Sequence, residues 1–157
     1  MIYNIEEVVH SSEIHKLYYL VCPNDSIKMI TQELEQTGIK LINIGKTLSC
    51  FIDHLEDSSY LNFDVFDYLI KVLDEQKAKI NNTGNEAVAI YNLGILLEPA
   101  IELNATQLLK NFSKTAAIII ICENQSDIPD RIHWSTQQNN IFLDFTETTL
   151  KKLQYEI

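Results

Sequence analysis

The stretch LYYLVCPNDSIKMI, Leu17 to Ile30, sets an apolar run before a short polar loop, one lysine and a second apolar segment. That order is the outline of a phosphate-binding loop, the G-x-x-x-x-G-K-[S/T] pattern of Walker A. In that pattern the glycines let backbone amides turn toward phosphate, the lysine reaches the terminal phosphates, and the hydroxyl binds magnesium. Laid over CPNDSIKM, the first glycine position holds Cys22, the second Ile27 and the hydroxyl position Met29; only Lys28 is kept. Ile27 fills space that an amide cradle needs, and a thioether at Met29 is a poor ligand for a hard cation. Asp25 adds negative charge where a triphosphate would sit. The four glycines, Gly38, Gly45, Gly84 and Gly94, all lie elsewhere. Taken alone, the loop reads either as an ordinary turn or as a degenerate phosphate loop retaining Ser26 and Lys28.

The other half of an ATPase site is an apolar strand ending in an acid that anchors magnesium. The run AVAIYNLGILL is such a strand, but it ends in Tyr91 and Asn92, and neither supplies a carboxylate. Glu98 lies further on and reads as a cap for the next segment. A later strand ends in CENQ, where Asn124 sits at a phosphate-sensing position or caps a turn. Both halves have lost their chemistry together, which a shared ancestry with lost activity explains better than two separate accidents. The residual nucleotide contacts would be Ser26, Lys28, Asn92 and Asn124. No catalytic residue, metal site or cofactor is expected.

The elements that must position these residues follow from hydrophobic patterning. Five apolar runs read as strands: Leu17 to Cys22, Lys40 to Ile44, Ala87 to Tyr91, Ala116 to Cys122 and Asn140 to Phe145. Between them, helical spacing marks Ser26 to Thr37, with Gly38 as its stop, then Thr47 to Leu55, Phe63 to Lys79 and Ala105 to Phe112, with Asn104 as N-cap. Residues 2–15 read as an N-terminal helix and Thr148 to Tyr155 as a closing one. Lys79 to Glu86 (KINNTGNE) reads as the clearest loop. Alternating strands and helices imply a single α/β domain over 1–157, a mostly parallel sheet covered on both faces.

Bulk composition narrows the function classes. The chain has 157 residues, 46% of them hydrophobic, enough for a real core. Its net charge of −10 repels nucleic acid and anionic membranes, so neither is an expected partner. The first residues carry acids where a signal peptide would carry its basic segment. The apolar run from Ala116 to Cys122 is too short to span a bilayer. Three scattered cysteines make neither a disulfide framework nor a zinc ribbon. A cytoplasmic location is the expectation.

The order of these features resembles the small P-loop protein family (BrxF) of type-3 BREX anti-phage defence systems. The resemblance spans roughly residues 17–124. It is carried by LYYLVCPNDSIKMI, by LINIGKTLSCFIDHL after the second strand, and by VAIYNLGILLEPAIELNATQLLKNFSKTAAIIIICEN. In the last of these the family's strand-end acid corresponds to Tyr91, followed by Asn92, Leu96, Leu97 and Pro99, then Leu108, Leu109 and Ser113. The resemblance implies a three-layer P-loop NTPase-like core (ASCE/RecA-type) with five mostly parallel strands in the order 5-1-4-3-2. It also implies a role beside larger protein components of a defence complex. The departures at Cys22, Ile27, Met29 and Tyr91 argue against ATP hydrolysis. The implied order makes the first and fourth strands neighbours, placing Cys22 near Cys122; two buried, reduced thiols are the ordinary reading of that pair.

Other constellations carry less. His10, His15, His54 and His133 lack ligand spacing, and no G-x-S-x-G elbow is present. The acids of EDSSYLNFDVFDYL read as a solvated helix start favoured by the helix dipole. Arg131 and Trp134, in RIHW, are residue types enriched at protein interfaces and form a candidate contact. The favoured function is a non-catalytic accessory protein on an ATPase-type scaffold. The alternatives are a protein that still binds ATP or ADP weakly through Lys28, and an unrelated doubly wound module with a small ligand at the sheet's carboxyl edge.

Overall fold

The computed structural model describes residues 1–123, 130–133, 142–148 and 150–156. In chain order the elements are β1 (Ile2–Tyr3), α1 (Ile5–His10), β2 (Leu17–Val21), α2 (Ile27–Thr37), β3 (Leu41–Asn43) and α3 (Ile44–Asp53). There follow α4 (Leu61–Gln76), β4 (Ala78–Ile80), β5 (Thr83–Tyr91), α5 (Ala105–Phe112) and β6 (Ala117–Cys122). Four short strands end the chain: β7 (Arg131–Ile132), β8 (Leu143–Asp144), β9 (Leu150–Lys152) and β10 (Gln154–Tyr155). Short 3₁₀ turns cover Asn24–Ser26, Gly94–Leu97 and Pro99–Ile101.

The central sheet runs β3-β5-β6-β2-β9 with all four pairings parallel, and β4 adds antiparallel to β5. At its middle, β6 (AIIIIC) is buried along its whole length, as a strand covered on both faces must be. Its side chains alternate between two cores. Ile118, Ile120 and Cys122 pack with α3, α4 and α5 residues such as Leu48, Leu69 and Leu108. Ile119 and Ile121 pack with Val9 of α1 and with Ile30 and Leu34 of α2. Each buried isoleucine contributes about 1.5–3 kcal/mol relative to exposure, so these four positions hold the layers together. No helix among the described residues is long and apolar enough to cross a membrane.

Helix starts and stops follow capping chemistry. Gly38 closes α2 in the left-handed region (φ 91), where its amide donates to the Leu34 and Glu35 carbonyls. α3 begins three residues earlier than apolar spacing suggests, because the Asn43 side chain accepts from the Lys46 amide and caps it at Ile44. Asn104 caps α5 in the same way, through the Gln107 amide.

Three sequence readings are corrected. Lys79 to Glu86 is a hairpin, not a loop: Asn81 (φ 50) and Asn82 (φ 61) both sit in the left-handed region between β4 and β5. That is the two-residue turn whose twist suits paired strands, and asparagine tolerates it. The ends of the chain are not helices over 2–15 and Thr148 to Tyr155. Only Ile5–His10 is helical, while β1 pairs with β10, and β9 lies parallel to β2 (Leu17↔Leu150). An open sheet edge beside β2 outweighs the weak helical spacing of Leu150 and Leu153, whose side chains reach opposite cores when the chain is extended. The strand expected over Asn140 to Phe145 is absent from the central sheet across its described part. Residues 140 and 141 lie outside the described residues, and Leu143–Asp144 instead pairs antiparallel with Arg131–Ile132.

Candidate functional site

β2, β5 and β6 end at the same edge of the sheet, the carboxyl edge where open parallel sheets place ligands. The chain leaves β2 through Cys22, whose amide donates to the Cys122 carbonyl at 2.8 Å and so extends the β2–β6 ladder by one rung. Pro23 then opens a single 3₁₀ turn, in which the Ser26 amide donates back to the Pro23 carbonyl at 2.9 Å, and α2 starts at Ile27. A phosphate loop needs its amides free and pointing inward; here the Ser26 amide is consumed within the turn.

Between the strand ends and this turn lies a cavity of about 250 Å³. Its apolar wall is Ile27 and Ile121 with the thiols of Cys22 and Cys122, and its polar groups are Tyr91, Asn92 and Glu123. Ile27 also packs against the α2-side core, so an apolar side chain lines the cavity where a phosphate loop would have glycine. Among the described lining residues the one formal charge is the Glu123 carboxylate, and none is a lysine or arginine. A group of that sign opposes a triphosphate.

The four nucleotide candidates do not converge. Lys28 is exposed on α2, outside the cavity lining, and pairs with no carboxylate among the described residues. Ser26 is buried, with its hydroxyl directed to the Asp25 carboxylate at 3.4 Å. Asn92 does line the cavity, but its amide donates to the Asn43 side chain at 2.9 Å, the same oxygen that caps α3. Its backbone is left-handed (φ 58), and a methyl at Gly45 would overlap its amide. Asn124 lies outside the described residues.

The two thiols are backbone neighbours that enter different cores: Cys22 packs on the α2 side and Cys122 on the α4–α5 side. Burial, with smaller contributions from Cys22 and Glu123, pushes the Cys122 thiol up to about 12 against the pull of Lys152. Burial and then Asp25 raise Cys22. Both thiols are therefore protonated at neutral pH and poor nucleophiles. Among the described residues no group of three His, Cys, Asp or Glu side chains is arranged to hold a metal ion.

The interface candidate divides. Trp134 lies outside the described residues. Arg131 is engaged within its own domain: its Nε lies 3.4 Å from an Asp144 carboxylate oxygen, and its guanidinium sits 4.3 Å from the Phe142 ring centroid. That contact is an ion pair without hydrogen-bond alignment, since Nε is buried and has no hydrogen-bond partner. Asp144 is held below the usual carboxylate range mainly by bonds from Thr146, with Arg131 a lesser cause.

Asn43 and Glu123 belong to this edge, although sequence patterning does not single them out. An asparagine directly before Ile44 is a visible N-cap signature for α3; nothing comparable marks Glu123. No family model matches the chain, and no curated protein or solved structure does either.

Proposed function

We propose that this chain is a non-catalytic accessory protein on a P-loop-type α/β core, acting by binding larger protein components of a prokaryotic anti-phage (BREX-type) defence complex. The observation that carries the non-catalytic half is the cavity where ATP phosphates would sit. It is lined by Ile27, carries Glu123 and no lysine or arginine, and leaves Lys28 outside. β5 ends in Tyr91 and is followed by Asn92, without the acid that hydrolysis needs. The insertion of β6 between β2 and β5 supports an ATPase-type core over the doubly wound orders 3-2-1-4-5-6 and 2-1-3-4-5, neither of which places a later strand there. The defence setting rests on the resemblance of residues 17–124, and an acidic protein suits protein partners better than nucleic acid.

A second reading is favoured by the cavity itself: at about 250 Å³ it lies just under the roughly 300–1,000 Å³ typical of ligand pockets. Its walls suit a small neutral or cationic molecule rather than a triphosphate. Co-purification of the tagged chain with the products of its neighbouring genes tests the main reading. The expected result is a stoichiometric large protein partner retained without added nucleotide and unaffected by Lys28→Ala. A chain that purifies alone, or that holds its partner only with ATP present, would overturn it.

A further inference from the structure

Between Lys46 and Lys71 the chain carries five acids, Asp53, Glu56, Asp57, Asp64 and Asp67, and no lysine or arginine. The same segment holds the two most exposed aromatic side chains described, Tyr60 and Phe63, each 65% accessible. Tyr60 stands at the N-cap of α4 and Phe63 three residues on, so they are neighbours on one helical face. Asp64 and Asp67 follow each of them by four residues and flank the same face. Further along α4, Tyr68 stacks on Phe51 of α3 at 4.0 Å with rings 4° from parallel, which ties the two helices together. Ahead of α4, Asp57 accepts from both the amide and the hydroxyl of Ser59 at 2.9 and 2.6 Å.

The two exposed rings leave apolar area in water, and the carboxylates beside them repel any acidic partner. We propose that this face of α4 is a docking surface for an arginine-bearing segment of a partner protein. A guanidinium stacks flat on an aromatic face while its edge forms paired hydrogen bonds to a carboxylate, and this surface offers both within one helical turn. Lysine satisfies the charge alone. The partial positive charge at the α4 N-terminus, about half a unit, opposes a cation but is outnumbered by the surrounding carboxylates. The inference deepens the proposed protein-binding role and rests on it, naming the chemistry of the partner.

The test uses hexa-arginine and hexa-lysine peptides as probes in about 0.15 M salt, where screening over about 8 Å removes diffuse attraction. Binding is followed by fluorescence anisotropy and located by amide shifts in the full chain. Hexa-arginine is expected to bind at least about fivefold more tightly than hexa-lysine, with shifts centred on residues 56–68. Tyr60→Ser with Phe63→Ser should abolish that preference while leaving lysine binding intact. Asp64→Asn with Asp67→Asn should weaken both peptides. Tyr60, Phe63 and Asp67 are exposed and Asp64 is half-buried, and a matched thermal melt verifies that each variant is folded. Equal affinity for the two peptides, a preference that survives loss of both rings, or shifts centred elsewhere would overturn the proposal. So would a dimer in sedimentation that the ring substitutions dissolve, because the occupant would then be a second copy. A chain that still co-purifies with its protein partner but shows no arginine preference overturns this surface alone, whereas a chain that purifies alone overturns the protein-binding role on which it rests.

Discussion

Asn92 lines the cavity just after β5, and its geometry gives it a structural task that substitution can isolate. Its φ of 58 is a region that asparagine and glycine tolerate and alanine resists at a cost of about 1–2 kcal/mol. Its amide donates at 2.9 Å to Asn43, which is accepting at 3.0 Å from the Lys46 amide. That bond lies in an exposed setting, so its loss costs about 0.5–1 kcal/mol. Asn92→Ala therefore loses both contributions, about 1.5–3 kcal/mol. Asn92→Gly loses only the bond and relieves the backbone, so it should fall within about 1 kcal/mol of the parent. For a chain of this length the alanine variant melts roughly 3–12 °C lower and the glycine variant by no more than about 4 °C. Urea titration and a thermal melt of the three proteins, with Asn43→Ala as the second arm of a double-mutant cycle, check this. Coupling of about 0.5–1 kcal/mol between Asn43 and Asn92 is expected. An alanine variant as stable as the parent, or a glycine variant as damaged as alanine, would refute the reasoning.

Gly84 has φ 68, and a Cβ there would overlap the Val9 carbonyl, so Gly84→Ala should cost at least about 2 kcal/mol and detach α1 from the hairpin; denaturant unfolding and amide exchange at Val8 and Val9 measure it. In the native protein at neutral pH, iodoacetamide should modify exposed Cys50 first and leave buried Cys22 and Cys122 untouched, with all three reacting after denaturation, as read by mass spectrometry. The Cys122 thiol is raised from its ordinary 9.0 to about 12, so the folded state keeps a proton that the unfolded state releases. Its contribution is complete below about pH 9 and is lost between about pH 9 and 12, at up to about 1.4 kcal/mol per pH unit; Cys122→Ala should flatten that slope in urea titrations.

The parts of the fold that patterning made legible are those set by strong local physics. The apolar runs at Leu17 and Ala116 have no stable place outside a covered sheet. Gly38 and Asn104 mark helix ends by chemistry that needs no tertiary partner. The misreadings occur where tertiary pairing decides. LKKLQY carries too few apolar residues to separate helix from strand, and only the vacant edge of β2 makes it extended. KINNTGNE looks like a loop because Asn, Thr and Gly suit loops, yet two adjacent asparagines with positive φ make a hairpin turn. At the site, the side chain at Ile27 in place of a glycine and the lack of an acid at Tyr91 could be read from residue type alone. That Asn92 is tied to Asn43, and Arg131 to Asp144 and Phe142, depends on contacts across 49, 13 and 11 residues of sequence, which local spacing cannot show.

The single 3₁₀ turn between Cys22 and Ile27 spends its Ser26 amide internally and directs no lysine into the cavity, so it should not hold a nucleotide. Isothermal titration calorimetry of the intact protein with ATP and magnesium tests it most directly. The account predicts no saturable heat up to millimolar ATP, and no difference between the parent and Lys28→Ala. Micromolar binding that collapses in Lys28→Ala would contradict it.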